Sequence, residues 1–128
     1  MTQQAPESLK YRRSDRTLEI QFPNQECVDL SAELLRVLSP SAEVQGHGPG
    51  QEVLQTGKAN VEITAIESIG HYAVQISFDD GHSSGLYTWA YLAQLASEKL
   101  TLWQRYLKKL EDAGASRDPS TDIVRIIS

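Results

Sequence analysis

The chain switches between two hydrophobic periods, and the switches divide it into elements. From Thr17, apolar Leu18, Ile20 and Phe22 alternate with Thr17, Glu19 and Gln21. A period of two predicts a strand with one buried face. Pro23-Asn24-Gln25 supplies a turn, and ECVDL returns as the hairpin partner. Ser31 stands where an N-cap belongs, before AELLRVL, a short helix that Pro40 must end. A stretch of little periodicity follows, from LSPSAEVQGHGPGQ to about Lys58. Alternation then resumes through Val61, Ile63 and Ala65, a turn at Ser68–His71, and Tyr72, Val74, Ile76 and Phe78. Asp80-Gly81 reads as a two-residue hairpin of type I′, whose central positions both need positive φ, with HSSGLY as the returning strand.

From Thr88 the period becomes helical. Trp89, Leu92, Ala93, Ala96, Leu100, Trp103, Leu107 and Leu110 step by three or four residues. This predicts a long amphipathic helix with a kink near Ser97, a stop at Gly114 and its apolar stripe in the core. If the late turns outrun the sheet, Trp103, Leu107 and Leu110 become a contact for a partner or for a second copy. The expected architecture is α+β: a mainly antiparallel sheet of hairpins from residues 17–30 and 61–87, one short helix, and one long C-terminal helix packed on the sheet. Residues 17–112 are read as one domain. Residues 1–16, with Arg12, Arg13 and Arg16 close together, are read as a flexible polar tail, and residues 113–128 as a mostly flexible one in which VRII is strand-like.

Composition narrows the partners. A chain of 128 residues suits one modest core. Its net charge of −5 argues against a general affinity for nucleic acid or anionic membrane. No apolar run approaches the roughly 20 residues of a membrane span, and MTQQAPESLKYRRSDR lacks the apolar core of a secretory signal. With a single cysteine, Cys27, no intramolecular disulfide forms; a cytoplasmic location and a monomer or weak homodimer through the long helix are expected.

Candidate chemistry is sparse. His47, His71 and His82 make none of the spacings H-x-H, H-x-x-x-H or H-E-x-x-H that build a local zinc site. No H-x-D stands for an iron triad. GHGPG lacks the lysine and hydroxyl of a phosphate loop, and Ser83 and Ser84 lack a G-x-S-x-G elbow. Cys27, on an apparent strand, is expected to be a small buried hydrophobe. His82 beside Asp79 and Asp80 is read as a turn residue bonded to its own hairpin.

Three segments carry a family resemblance: LEIQF, VDLSAELLRVLSPSAEVQGHG and IGHYAVQISFDDGHSSGLYTWAYL. Together they resemble the small domain at the N-terminus of gamma-butyrobetaine hydroxylase and its relatives. That domain also occurs free-standing in bacteria, and fused to P-loop ATPases implicated in iron–sulfur cluster assembly. The resemblance runs from about Thr17 to Leu95. Its sharpest motif is D-G-H-x-S-G-x-Y-x-W-x-Y-L, here Asp80, Gly81, His82, Ser84, Gly85, Tyr87, Trp89 and Tyr91, ending at Leu92.

In hydroxylase-type members the resemblance implies a zinc module, C-x-C-x-x-C closed by the histidine of the D-G-H turn. Those positions fall here on Ser39, Ser41, Val44 and His82. Serine hydroxyls are poor substitutes for thiolates and valine offers no donor, so no metal and no cofactor is expected. The alternative is a zinc or iron site of altered ligands, His47 and Glu43 joining His82. The oxygenase barrel and its iron triad have no counterpart, so hydroxylase activity is not expected. The reading is a non-catalytic accessory domain with a protein partner, tied to iron–sulfur or cofactor metabolism by family analogy alone.

Overall fold

The structure, a computed structural model, describes residues 4–119. It is α+β, with two three-stranded antiparallel sheets in place of the single sheet expected. Strands β1 (Ser8–Arg12), β2 (Thr17–Gln21) and β3 (Val28–Ser31) form the first in that order, and β4 (Ile63–Ile69), β5 (Ala73–Phe78) and β6 (Leu86–Thr88) the second. Helices α1 (Ala32–Val37) and α2 (Ala42–Gln45) lie between the sheets in the chain, and α3 (Trp89–Ala113) follows β6.

The β2–β3 hairpin follows its sequence pattern. Leu18, Ile20 and Leu30 are fully buried while Glu19 pairs with Asp29 on the outer face. Asn24 takes positive φ at the turn. The stretch read as an N-terminal tail contains β1, which pairs along the whole of β2. Its inward residues, Leu9 and Tyr11, pack on the core between polar neighbours. The Tyr11 hydroxyl accepts the Ile63 amide at 3.2 Å and so ties the first sheet to the second.

In β4 the alternation breaks. Val61 and Ile63 are buried but Ala65 is exposed, because the register to β5 shifts between Ile63 and Ala65 and turns Ile66 inward instead. An extra residue in one strand has this effect: the period restarts on the opposite face. The β5–β6 connection also departs from the type I′ reading. Only Gly81 has positive φ; the Phe78 carbonyl accepts from the Gly81 amide and the Phe78 amide donates to the His82 carbonyl. Asp79, Asp80 and Gly81 thus form a three-residue loop with glycine at the bulge, and regular pairing resumes only at Leu86.

Helix α3 starts and stops where expected. The Thr88 hydroxyl accepts the Tyr91 amide as N-cap, Gly114 takes the left-handed conformation, and Ala115 N–H reaches back to the Leu110 carbonyl. This is the Schellman arrangement, and glycine fits it because a Cβ disfavours positive φ. The buried face is rotated from the expected stripe. Leu92, Leu95, Tyr106 and Leu110 are buried, Trp103 is half-buried, and Leu100 and Leu107 are exposed. The stripe read as a possible partner contact is therefore not one exposed surface: Trp103 and Leu110 face inward. After α3 the chain stays docked, against the expectation of a flexible tail from 113. The Gly57 and Ala59 amides donate to the Ser116 and Arg117 carbonyls. The strand-like VRII lies outside the described residues. Among those residues no helix is long and apolar enough to cross a membrane.

Candidate functional site

The loop after α1 meets the β5–β6 turn, and the two build a small polar site. Leu38 ends α1, and Ser39 follows with no exposure at all. Two residues on, Ser41 caps α2 by accepting the Glu43 amide at 3.1 Å. From the other side come His82 and Ser84. Ser39 Oγ lies 2.8 Å from His82 Nε2, and His82 Nδ1 lies 3.1 Å from Glu43 Oε1. The Ser84 hydroxyl donates to the same Glu43 oxygen at 2.8 Å and stands 2.8 Å from Ser41 Oγ. Four of these five side chains lie on residues matched to the zinc pattern or to the D-G-H motif. Glu43, weighed only as an alternative ligand, is the fifth.

Titration favours an uncharged imidazole here. Burial, joined by the Arg36 charge, holds the His82 pKa below the usual histidine value, and it outweighs the pull of Glu43 and Asp80. A neutral imidazole has one donor and one acceptor. With Glu43 ionised, Nδ1–H donates to its carboxylate and Nε2 accepts the Ser39 hydroxyl proton. His82 also bonds to its turn, as read from the sequence: its amide donates to Asp80 Oδ1 at 3.1 Å. Asp80 in turn holds Arg36 Nε at 2.8 Å and Lys58 Nζ at 2.5 Å. Partial burial alone would raise that carboxyl, but the bonds from Lys58, the His82 amide and Arg36 bring its pKa down to about 2.

The remaining motif residues explain themselves as braces. A helix leaves its last carbonyls unbonded, and two motif tyrosines reach those of α1: Tyr87 donates to the Leu35 carbonyl and Tyr91 to that of Leu38, each at 2.5 Å. Burial raises the pKa of both phenols, so both remain donors. Trp89 Nε1 donates to the His71 carbonyl at 2.8 Å. Gly85 is required by contact. A Cβ there would come within 2.5 Å of Ser39 Oγ and 3.2 Å of Pro40 Cδ.

Ser–His–carboxylate is also the order of a hydrolytic relay. Ser39 cannot act as its nucleophile in this arrangement, because its hydroxyl is fully buried under the Gly85 backbone and out of reach of a carbonyl substrate. A metal fits no better. The positions that the resemblance matches to zinc ligands carry two hydroxyls, a valine methyl pair and one imidazole whose acceptor nitrogen is engaged by Ser39. Such a set lacks the charge and softness that hold zinc. Nor do His47, Glu43 and His82 assemble: Glu43 reaches His82, but among the described residues no three His, Cys, Asp or Glu side chains converge as ligands, and His47 is exposed. Cys27 is exposed rather than buried.

Fold and site together define a small α+β domain braced around a polar turn. The model of the gamma-butyrobetaine hydroxylase-like N-terminal domain matches residues 9–93, and the chain belongs to that family. Two solution NMR structures are similar over nearly the whole length. One has 46% identity and a TM-score of 0.82, covering 99% of this chain and all of its own. The other has 48% identity and a TM-score of 0.79, covering all of this chain and 98% of its own. A crystal structure from Acidithiobacillus ferrooxidans, described as a protein of unknown function of the DUF971 family, has 33% identity and a TM-score of 0.61 over 73% of this chain and 93% of its own. A search of curated proteins gave no match.

Proposed function

We propose that this chain is a non-catalytic accessory domain that works through contact with another protein. One observation carries the reading: the motif side chains are spent on bracing the loop after α1, not on lining a reactive cleft. Asp80, His82, Ser84, Tyr87 and Tyr91 all bond inward or to one another's supports. Beside the braced loop the Val53 amide donates to the Val44 carbonyl, and Val53 is an exposed apolar residue lining a groove of about 520 Å³. Val37, Leu38, Leu54, Leu102 and Tyr106 line that groove, with Arg105 and Lys109 at its side. A rigid platform carrying an apolar edge suits recognition of a protein surface. A link to iron–sulfur or cofactor metabolism is supported only by the family's fusions to ATPases implicated in iron–sulfur cluster assembly.

Affinity purification from the native cell, wild type against Val53→Asp, tests the reading. A protein retained by the wild type, lost by the variant, and binding the purified wild-type domain at one-to-one stoichiometry is the expected result. Identical recoveries from wild type and variant, both folded by circular dichroism, overturn it.

A further inference from the structure

The bonds around His82 can be given a direction: two donor chains leave Ser41 and converge on Glu43. Ser84 donates to Glu43, which uses its only hydroxyl proton, so the 2.8 Å contact with Ser41 must take its proton from Ser41. Glu43 accepts a second bond, from His82 Nδ1–H. His82 Nε2 then has only a lone pair to offer, and Ser39 fills it. The Ser39 oxygen accepts in turn from the Ser41 amide at 3.3 Å, so the second chain, like the first, starts at Ser41. No buried side-chain nitrogen or oxygen among the described residues is left without a partner. Chains with one sense polarise each member and strengthen one another.

We propose that Ser39, Ser41, Glu43, His82 and Ser84 form a metal-free clasp that joins the loop after α1 to the β5–β6 turn, standing where thiolates and a metal would make the same join. Ser39 and Ser41 come from one side of the seam and His82 and Ser84 from the other, so the side chains span the gap that a bound ion would bridge. Val44 lines the same small cavity as Glu43 and His82. Three of the four positions matched to zinc ligands, Ser39, Ser41 and His82, belong to the clasp, while Glu43 and Ser84 supply bonds from positions of their own. Two consequences follow: closure of this chain is indifferent to metal supply, and three thiols alone convert the clasp to a soft-metal site.

Three measurements test this, all with Cys27→Ser so that no other thiol is present. The denaturation midpoint of the wild-type sequence should not move with chelator or with added zinc; a fall with chelator overturns the proposal. In a double-mutant cycle, Ser39→Ala and His82→Ala should each lower the midpoint and together lower it no further than the worse one. Additive losses overturn a shared clasp. Finally, Ser39→Cys/Ser41→Cys/Val44→Cys, refolded with cobalt(II), should develop thiolate charge-transfer absorbance saturating at one equivalent. That absorbance should fall when His82→Ala is added. No saturable absorbance, or one indifferent to His82, shows that the positions do not converge and overturns the proposal; reading the metal itself keeps the test valid if the metal-free variant is unfolded.

Discussion

The two ends of α3 rest on different physics. Its first half, with Leu92 and Leu95, closes a core to which both sheets and α1 contribute. There the contacts are apolar, aliphatic and aromatic alike, and the shielding of apolar surface from water stabilises them. The second half covers a smaller cluster of Val37, Tyr106 and Leu110. Around it the attachments are polar: the Tyr106 hydroxyl donates to the Gln55 carbonyl at 2.8 Å, and Arg117 forks onto Glu33 at 2.7 and 2.8 Å while lying 5.0 Å over the Trp103 ring. Apolar burial makes the first region a core. The second is fastened to it by directed bonds, and such bonds can be cut singly.

The sharpest way to expose that contrast is to weaken each region in turn. Ile76→Ala, in the middle strand of the second sheet and fully buried, should cost about 3 kcal/mol by denaturant titration, with every probe unfolding together. Arg117→Ala leaves the buried Glu33 carboxylate without its fork and should cost about 1.5 kcal/mol. Its signature is local: amide exchange should rise at residues 57–59 and 114–117 while the sheets keep their protection. Tyr106→Phe keeps the ring and drops one bond, for a loss of about 1 kcal/mol, again felt first at Gln55 and its neighbours. Equal effects on sheet and strap protection would erase the distinction.

The smallest expected effect is on pH dependence. The folded-state pKa of His82 lies below its unfolded value, so the unfolded chain binds the proton more readily. Stability is then full above about pH 6.5 and declines as pH falls below it. His82 is faced by Glu43, Asp80, Arg36 and Ser39. Of the ionisable groups, Asp80 titrates only near pH 2. The decline below about pH 6.5 should shrink in His82→Gln, and a wild-type curve with no such decline would contradict the buried neutral imidazole.

Legibility in the sequence follows the same division. Where burial decides, period speaks: the β2–β3 hairpin, β5, and the two caps of α3 stand close to where alternation, Ser31, Thr88 and Gly114 place them. Strand β1 escapes because Ser8, Lys10 and Arg12 dilute its pattern and a single face of two residues is a faint signal. Helix α2 has four residues, less than two turns and too short to show a period. On α3 the buried face takes in Leu95 and leaves Leu100 exposed, a rotation of the stripe that the position of β3 and β6 against the helix fixes. At the site, His82 and the three serines are legible through the family resemblance, and Glu43 as a neighbour of His82. The straps are not, because Glu33 and Arg117 are 84 residues apart and neither stands out among 29 charged residues.

Those separations also bear on how the chain is made. Synthesis delivers α1 early, with the Glu33 carboxylate and the Ser39 hydroxyl already placed for burial. His82 follows Ser39 by 43 residues and Arg117 comes later still. Until then both groups must remain in water, and the loop between them has nothing to close upon. The first sheet can pair as it leaves the ribosome; the polar bonds wait for His82 and then for Arg117. A chain stalled before residue 117 would therefore hold the Glu33 carboxylate without its fork, and the second half of α3 would be the less firmly fastened part of the nascent domain.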